Sequence, residues 1–202
     1  MTYRCPESKL NVLDVYTASG LSDEQITEVA RAFHMPYSLM IYNCHGDFNT
    51  SILCRTASCF SAKHIFTVGR RKFDRRPLVG SHNYTHLTRI DEIPDRVAFF
   101  LEHNMYPVFI EQGGISLSEY RIGTYQPKHP ETGCALDPCL VVGSECDGLP
   151  QDFLDEFPES PILTIPQSGP IRSLNVSTAG AIVLCNIYHQ NLKNTMDRYG
   201  LC

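Results

Sequence analysis

Short apolar runs at residues 37–42, 64–68, 106–110, 139–142 and 162–165 recur along the chain, separated by segments of helical period. A strand that is apolar at nearly every position has to be covered on both faces, as in a parallel sheet flanked by helices. The intervening segments supply those helices. Ser22-Asp23-Glu24-Gln25 has capping-box spacing, and Ile26, Val29, Ala30 and Phe33 follow at helical intervals. Residues 22–34 are therefore predicted as an amphipathic helix, closed by Pro36. Residues 49–60 put Ile52, Leu53, Thr56 and Phe60 on one side of a second helix. Residues 94–103 form a third, with Pro94 in the first turn, where a missing N–H costs nothing. A long helix is expected over residues 175–196.

Residues 83–87 are predicted as a further short strand. Gly113-Gly114 is expected to break the strand before it, and residues 123–138, with their prolines and glycines, to form a surface loop. Strands alternating with helices predict an α/β fold. In open α/β sheets, ligands bind outside the carboxyl ends of the strands. That rule directs attention to the loops after Tyr42, Val68, Ile110, Val142 and Ile165.

A chain of 202 residues fits one compact domain. Residues 1–14 hold no continuous apolar stretch, and the most apolar segment, residues 179–184, is too short to span a bilayer. A cytoplasmic protein without membrane contact is expected. The nine cysteines show no C-x-x-C spacing, so they read as reduced thiols, with no metal site. A net charge of −5 argues against coating nucleic acid by bulk charge. The stripe Arg70-Arg71-Lys72-Phe73-Asp74-Arg75-Arg76 is a local exception. On charge alone it is either a phosphate-contacting segment or a solvated loop.

Three loop segments carry residue sets that suggest chemistry. Asn49-Thr50-Ser51-Ile52-Leu53-Cys54-Arg55-Thr56 sets an arginine among small and apolar residues. Burying it requires an acidic partner or a phosphate, and its planar fork suits both. In Val142-Gly143-Ser144-Glu145-Cys146-Asp147-Gly148-Leu149-Pro150, Gly143 follows a buried strand and would let a ligand approach the backbone. Glu145 could accept hydrogen bonds there, or the segment could be a turn capped by Ser144 or Asp147. No Gly-Lys-Ser/Thr follows, so this is not a phosphate loop of the nucleotide-hydrolase kind. The third segment runs Ile165-Pro166-Gln167-Ser168-Gly169-Pro170-Ile171-Arg172-Ser173-Leu174-Asn175-Val176-Ser177-Thr178-Ala179. Its end meets a helix start, where free N–H groups can hold an anion, or where Ser173 or Asn175 caps the helix.

In order and spacing these segments resemble the SpoU/TrmH branch of the SPOUT methyltransferases. That family shows Asn-x-Gly-x-x-x-Arg, then Gly-(Ser/Pro)-Glu-x-x-Gly-Leu, then Ile-Pro-Met-x-Gly-x-x-x-Ser-Leu-Asn-(Val)-Ser. Here Ser51, Cys146 and Gln167 stand where the family has glycine, frequent glycine and methionine. The resemblance divides the chain into an N-terminal extension with one amphipathic helix, residues 1–36, and a methyltransferase domain, residues 37–202. It implies a mostly parallel α/β sheet with a C-terminal trefoil knot, although knots are rare exceptions among folds.

The implied reaction is methyl transfer from S-adenosylmethionine to a ribose 2′-hydroxyl of tRNA or rRNA, with no metal. Ile110, Glu111, Gln112, Gly143, Ile165, Ser173 and Leu174 would belong to the cofactor pocket. Arg55 matches the family's catalytic arginine. A guanidinium is a poor base, so it would bind phosphate and orient the hydroxyl, while Asn49, Glu145, Ser173 and Asn175 position the reacting groups. Arg70, Arg71, Arg75 and Arg76 would contact RNA. The resemblance also implies a homodimer, and the length of the chain favours tRNA over rRNA. The alternative is a non-catalytic RNA-binding protein that keeps the knotted fold.

Overall fold

A computed structural model describes residues 20–44, 46–69 and 72–199. Helix α1 (Asp23–Ala32) begins at the predicted capping box: Ser22 accepts from Gln25 N, and the Gln25 side chain returns to Ser22 N at 2.9 Å. Strand β1 (Ser38–Tyr42), helix α2 (Asp47–Cys59) and strand β2 (His64–Val68) follow. Two 3₁₀ turns (Arg76–Leu78, Ser81–Asn83) lead to β3 (His86–Ile90), α3 (Arg96–Glu102) and β4 (Met105–Ser116). The chain continues through β5 (Asp137–Val142), α4 (Gln151–Asp155), β6 (Ile162–Thr164) and α5 (Val176–Tyr199).

The six strands form one sheet in the order β3-β2-β1-β5-β4-β6, and every pairing is parallel. Alternation along each strand divides the core between the two faces. Leu39, Ile41, Val108, Leu140 and Val142 point to one side, where Leu53, Ala57, Val183, Leu184 and Ile187 of α2 and α5 cover them. Met40, Tyr42, Phe109, Cys139 and Val141 point to the other, against Phe100 of α3 and Phe153 of α4. The apolar runs are thus buried on both faces. Among the described residues no helix is long and apolar enough to cross a membrane.

Several local expectations change. The strand predicted at residues 83–87 lies at His86–Ile90, because the chain first tightens into a turn in which Asn83 N donates to Gly80 O at 3.0 Å. Helix α4, which residue periodicity did not reveal, spans only five residues. Gly113-Gly114 does not end β4. The strand continues to Ser116 with a register shift between Ile110 and Ile115. Leu163 pairs with both of those residues, and a strand has only two edges, so β6 is flanked by the two ends of β4. Thr164 fixes the crossing: its hydroxyl accepts from Gly114 N at 2.7 Å and donates to Glu111 O at 2.8 Å.

Candidate active site

Strands β5, β4 and β6 are neighbours and run in parallel, so their carboxyl ends emerge at one edge. The loops that follow them enclose a cavity of about 690 Å³. All seven residues predicted for the cofactor pocket line it: Ile110, Glu111 and Gln112 after β4, Gly143 after β5, and Ile165, Ser173 and Leu174 after β6. Glu145 and Asn175 line it as well. Gln112 Nε2 donates to Arg172 O at 3.2 Å, linking the first and third of these loops. Thr164, Arg172 and Asp147 belong to the lining too. No motif position singled them out.

Gly143 has a different reason from the one its sequence position suggests. A Cβ there would lie 2.3 Å from Gly148 C and 2.6 Å from Leu149 N. The missing side chain admits the chain's own backbone, not a ligand. Ser144 and Gly148 exchange backbone hydrogen bonds of 3.0 and 3.1 Å, and Ser144 Oγ accepts from Asp147 N. The segment is a closed turn with no helix starting at Ser144. It carries Glu145 away from the strand and toward α2.

There Glu145 Oε1 accepts from Asn49 Nδ2 at 2.7 Å, Gly46 N at 3.0 Å and Cys44 Sγ at 3.0 Å. Gly46 is the N-cap residue of α2 and offers no side-chain cap. A carboxylate from another loop takes that place, where the helix dipole favours negative charge. Asn49 Oδ1 in turn accepts from Asn175 Nδ2 at 3.1 Å. Asn175 caps α5, its Oδ1 accepting from Ser177 N and Ser177 Oγ at 2.9 and 2.6 Å. The three motif segments therefore meet through a continuous set of hydrogen bonds. Burial, aided by the bond to Glu145, pushes the Cys44 thiol up to about 12, so it stands there as a protonated donor.

Arg55 sits elsewhere. It is exposed on α2, six residues beyond Asn49 and outside the cavity lining. Among the described residues no acidic side chain pairs with it. Among the described residues, neither burial nor an ion pair accounts for this arginine. Ser51, at the family's glycine position, is fully buried, and its hydroxyl donates to Asp74 O. It ties α2 to the basic stripe. In that stripe Arg75 is exposed, while Arg76 is engaged by Asp74 at 2.6 Å. Hydrogen bonds from Arg76 hold the Asp74 carboxyl below its usual range. Arg70 and Arg71 lie outside the described residues.

Residues 36–185 match the SpoU rRNA methylase family. Among curated proteins none matches the chain. Of the solved structures, the A. aeolicus TrmH/SpoU tRNA modifying enzyme superposes with a TM-score of 0.67 at 20% identity, over 86% of each chain. The SpoU methyltransferase AviRb from Streptomyces viridochromogenes, solved with AdoMet, gives 0.63 at 16% identity, over 79% of this chain and 60% of that one. A protein described through the 2-OH methylation of C/U34 on tRNA gives 0.60 at 22% identity, over 78% and 97%. These likenesses establish the same fold, and the family match spans all six strands and all three motif segments. The chain belongs to the SpoU rRNA methylase family.

Proposed function

We propose that this protein transfers a methyl group from S-adenosylmethionine to a ribose 2′-hydroxyl of RNA. The observation that carries this reading is the Glu145–Asn49–Asn175 network, of which Glu145 and Asn175 line the cavity and Asn49, outside the lining, joins them. The cavity fits the cofactor: ligand sites occupy about 300–1,000 Å³, and this one combines apolar Ile110, Ile165 and Leu174 with polar Gln112 and Ser173. S-adenosylmethionine supplies an electrophilic methyl group when bound. The protein's own residues do the rest. Gln112, Ser173 and Leu174 hold the donor, while Asn49, Glu145 and Asn175 fix the rim where the ribose arrives. Arg55 binds a phosphate and orients the hydroxyl.

Arg55 is outside the cavity, and its surroundings suggest how it is brought in. Phe48 and Ile52 of α2 are 63% and 42% exposed, and Ile171 in the third loop is 75% exposed. Ile52 lies one turn before Arg55 on the same helix. A second copy covering these apolar side chains would make a homodimer and complete the site beside Arg55. Arg75 is exposed and meets RNA phosphates in this reading, with Arg70, Arg71 and Arg76 of the same stripe as further contacts. A tRNA substrate is favoured because the two neighbours described through tRNA are matched over 86% and 97% of their own length. The doubled pairing of Leu163 supports the trefoil knot, residues 1–36 read as an extension before the domain, and a cytoplasmic location fits this chemistry.

Calorimetry with S-adenosylmethionine and S-adenosylhomocysteine, with mass-spectrometric mapping of 2′-O-methyl nucleotides in RNA from cells with and without the gene, tests the proposal. Saturable binding and a nucleotide methylated only when the gene is present are expected. No binding of either compound would leave a non-catalytic RNA-binding protein in its place.

A further inference from the structure

We infer that Cys44 is a positioning residue of this site, its thiol proton holding one oxygen of Glu145 in place. The inference rests on the proposed reaction, since Glu145 must matter to transfer for its position to matter. Cys44 precedes the first motif segment, and no motif asks for it. Structure brings it in: β1 and β5 are paired neighbours, so the loop after β1 faces the turn after β5. Three donors, Cys44 Sγ, Gly46 N and Asn49 Nδ2, converge on the same oxygen, Glu145 Oε1, at 3.0, 3.0 and 2.7 Å.

A thiol of this kind usually serves as a small apolar filler. Here it has a directed role: the sulfur's proton goes to Glu145 Oε1 at 3.0 Å. A thiolate at this place would repel Glu145, and burial keeps the proton on sulfur. A hydrogen bond to a charged acceptor is among the stronger kinds, although S–H is a weak donor. Its loss removes one of the three donors that the described residues bring to Oε1 and loosens the hold on the oxygen position that faces Asn49.

The full-length chain tests this with Cys44→Ala, Cys44→Val and Cys44→Ser. The valine fills the volume without donating, and the serine keeps a donor. Methyl transfer from tritiated S-adenosylmethionine to transcribed tRNA is the kinetic readout. In the alanine and valine variants kcat should fall about tenfold, with cofactor affinity within about twofold and the acid limb of the pH profile moved upward. Serine should restore most of kcat. Unchanged kcat in the valine variant, or failure of serine to restore it, overturns the role. A second readout needs no turnover: the infrared S–H stretch that disappears in Cys44→Ala should shift to higher frequency in Glu145→Ala. A band that does not move overturns the contact. If the wild type methylates neither tRNA nor rRNA transcripts, the proposed reaction has failed, and the S–H band alone decides the contact.

Discussion

Asn175 donates from Nδ2 to Oδ1 of Asn49 across 3.1 Å, although 126 positions separate them in sequence. The same side chain, through Oδ1, caps α5 by accepting from Ser177 N. One asparagine amide therefore divides its two ends between holding a helix and holding the site.

That division can be separated by mutation. Asn175→Asp keeps an acceptor for the cap and loses the donor to Asn49, so stability should change by only a few tenths of a kcal/mol, since aspartate caps about as well as asparagine. Methyl transfer should nevertheless fall sharply. Asn175→Ala removes both functions and should cost about 1 kcal/mol of stability as well. Urea unfolding alongside a transfer assay checks this, and equal loss of activity and stability in Asn175→Asp would refute the division.

Two glycines should respond differently to alanine. At Gly180 a Cβ would meet Leu53 Cδ2 at 2.3 Å, where α5 packs on α2. The end of a leucine side chain can turn away, so Gly180→Ala should destabilise by about 1–3 kcal/mol and leave cofactor binding in place. At Gly143 the obstacle is the backbone of Gly148 and Leu149, which cannot move without opening the turn that carries Glu145. Gly143→Ala should abolish cofactor binding by calorimetry, and full affinity in that variant would contradict the close-packed turn.

Arg55→Ala should stop methyl transfer while sparing both fold and cofactor. The side chain is exposed and pairs with no acid among the described residues, so stability should stay within about 0.5 kcal/mol. Arg55→Lys should remain impaired, because an ammonium lacks the two-pronged geometry for phosphate. Thermal melts, cofactor titration and transfer assays separate these effects, and unchanged transfer in the alanine variant would remove Arg55 from the mechanism.

Stability should depend on pH through His64. Its ring stands 5.7 Å from Phe66 and 5.3 Å from His86. Burial, followed by the positive charges of His86, Lys63, His103 and His34, pushes its pKa down from 6.5 to about 4. Above 6.5 the imidazole is neutral in both folded and unfolded chains, and this site leaves stability untouched. As pH falls from 6.5 toward 4, the unfolded chain binds the proton that the folded one declines, and stability drops; below that window the loss is complete. Urea midpoints across the window should fall less steeply in His64→Phe, and an identical slope would exclude His64 as the source.

Much of the site is legible in the sequence. The rule that parallel strands present ligands at their carboxyl ends points to the loops after Ile110, Val142 and Ile165. The resemblance to the SpoU/TrmH family implies Ile110, Gly143, Glu145, Ile165, Ser173 and Asn175 as site residues, and all six line the cavity. Cys44 and Gly46 are not legible there, because a thiol and a backbone N–H carry no periodic or motif signal. Arg55 reads in the sequence as a residue in need of a partner, and among the described residues no acidic side chain pairs with it.

Residue pattern alone dictates that the strands are covered on both faces and where the helices lie except for the short α4, and it sets the order of Asn49, Glu145 and Asn175. That these three side chains form one hydrogen-bonded set, that Gly143 makes room for its own backbone, and that Cys44 reaches Glu145 emerge from the folded chain. They follow from the strand order. Placing β5 beside β1 and β6 beside β4 brings together loops that are distant along the chain, and local propensity carries no record of which strands become neighbours.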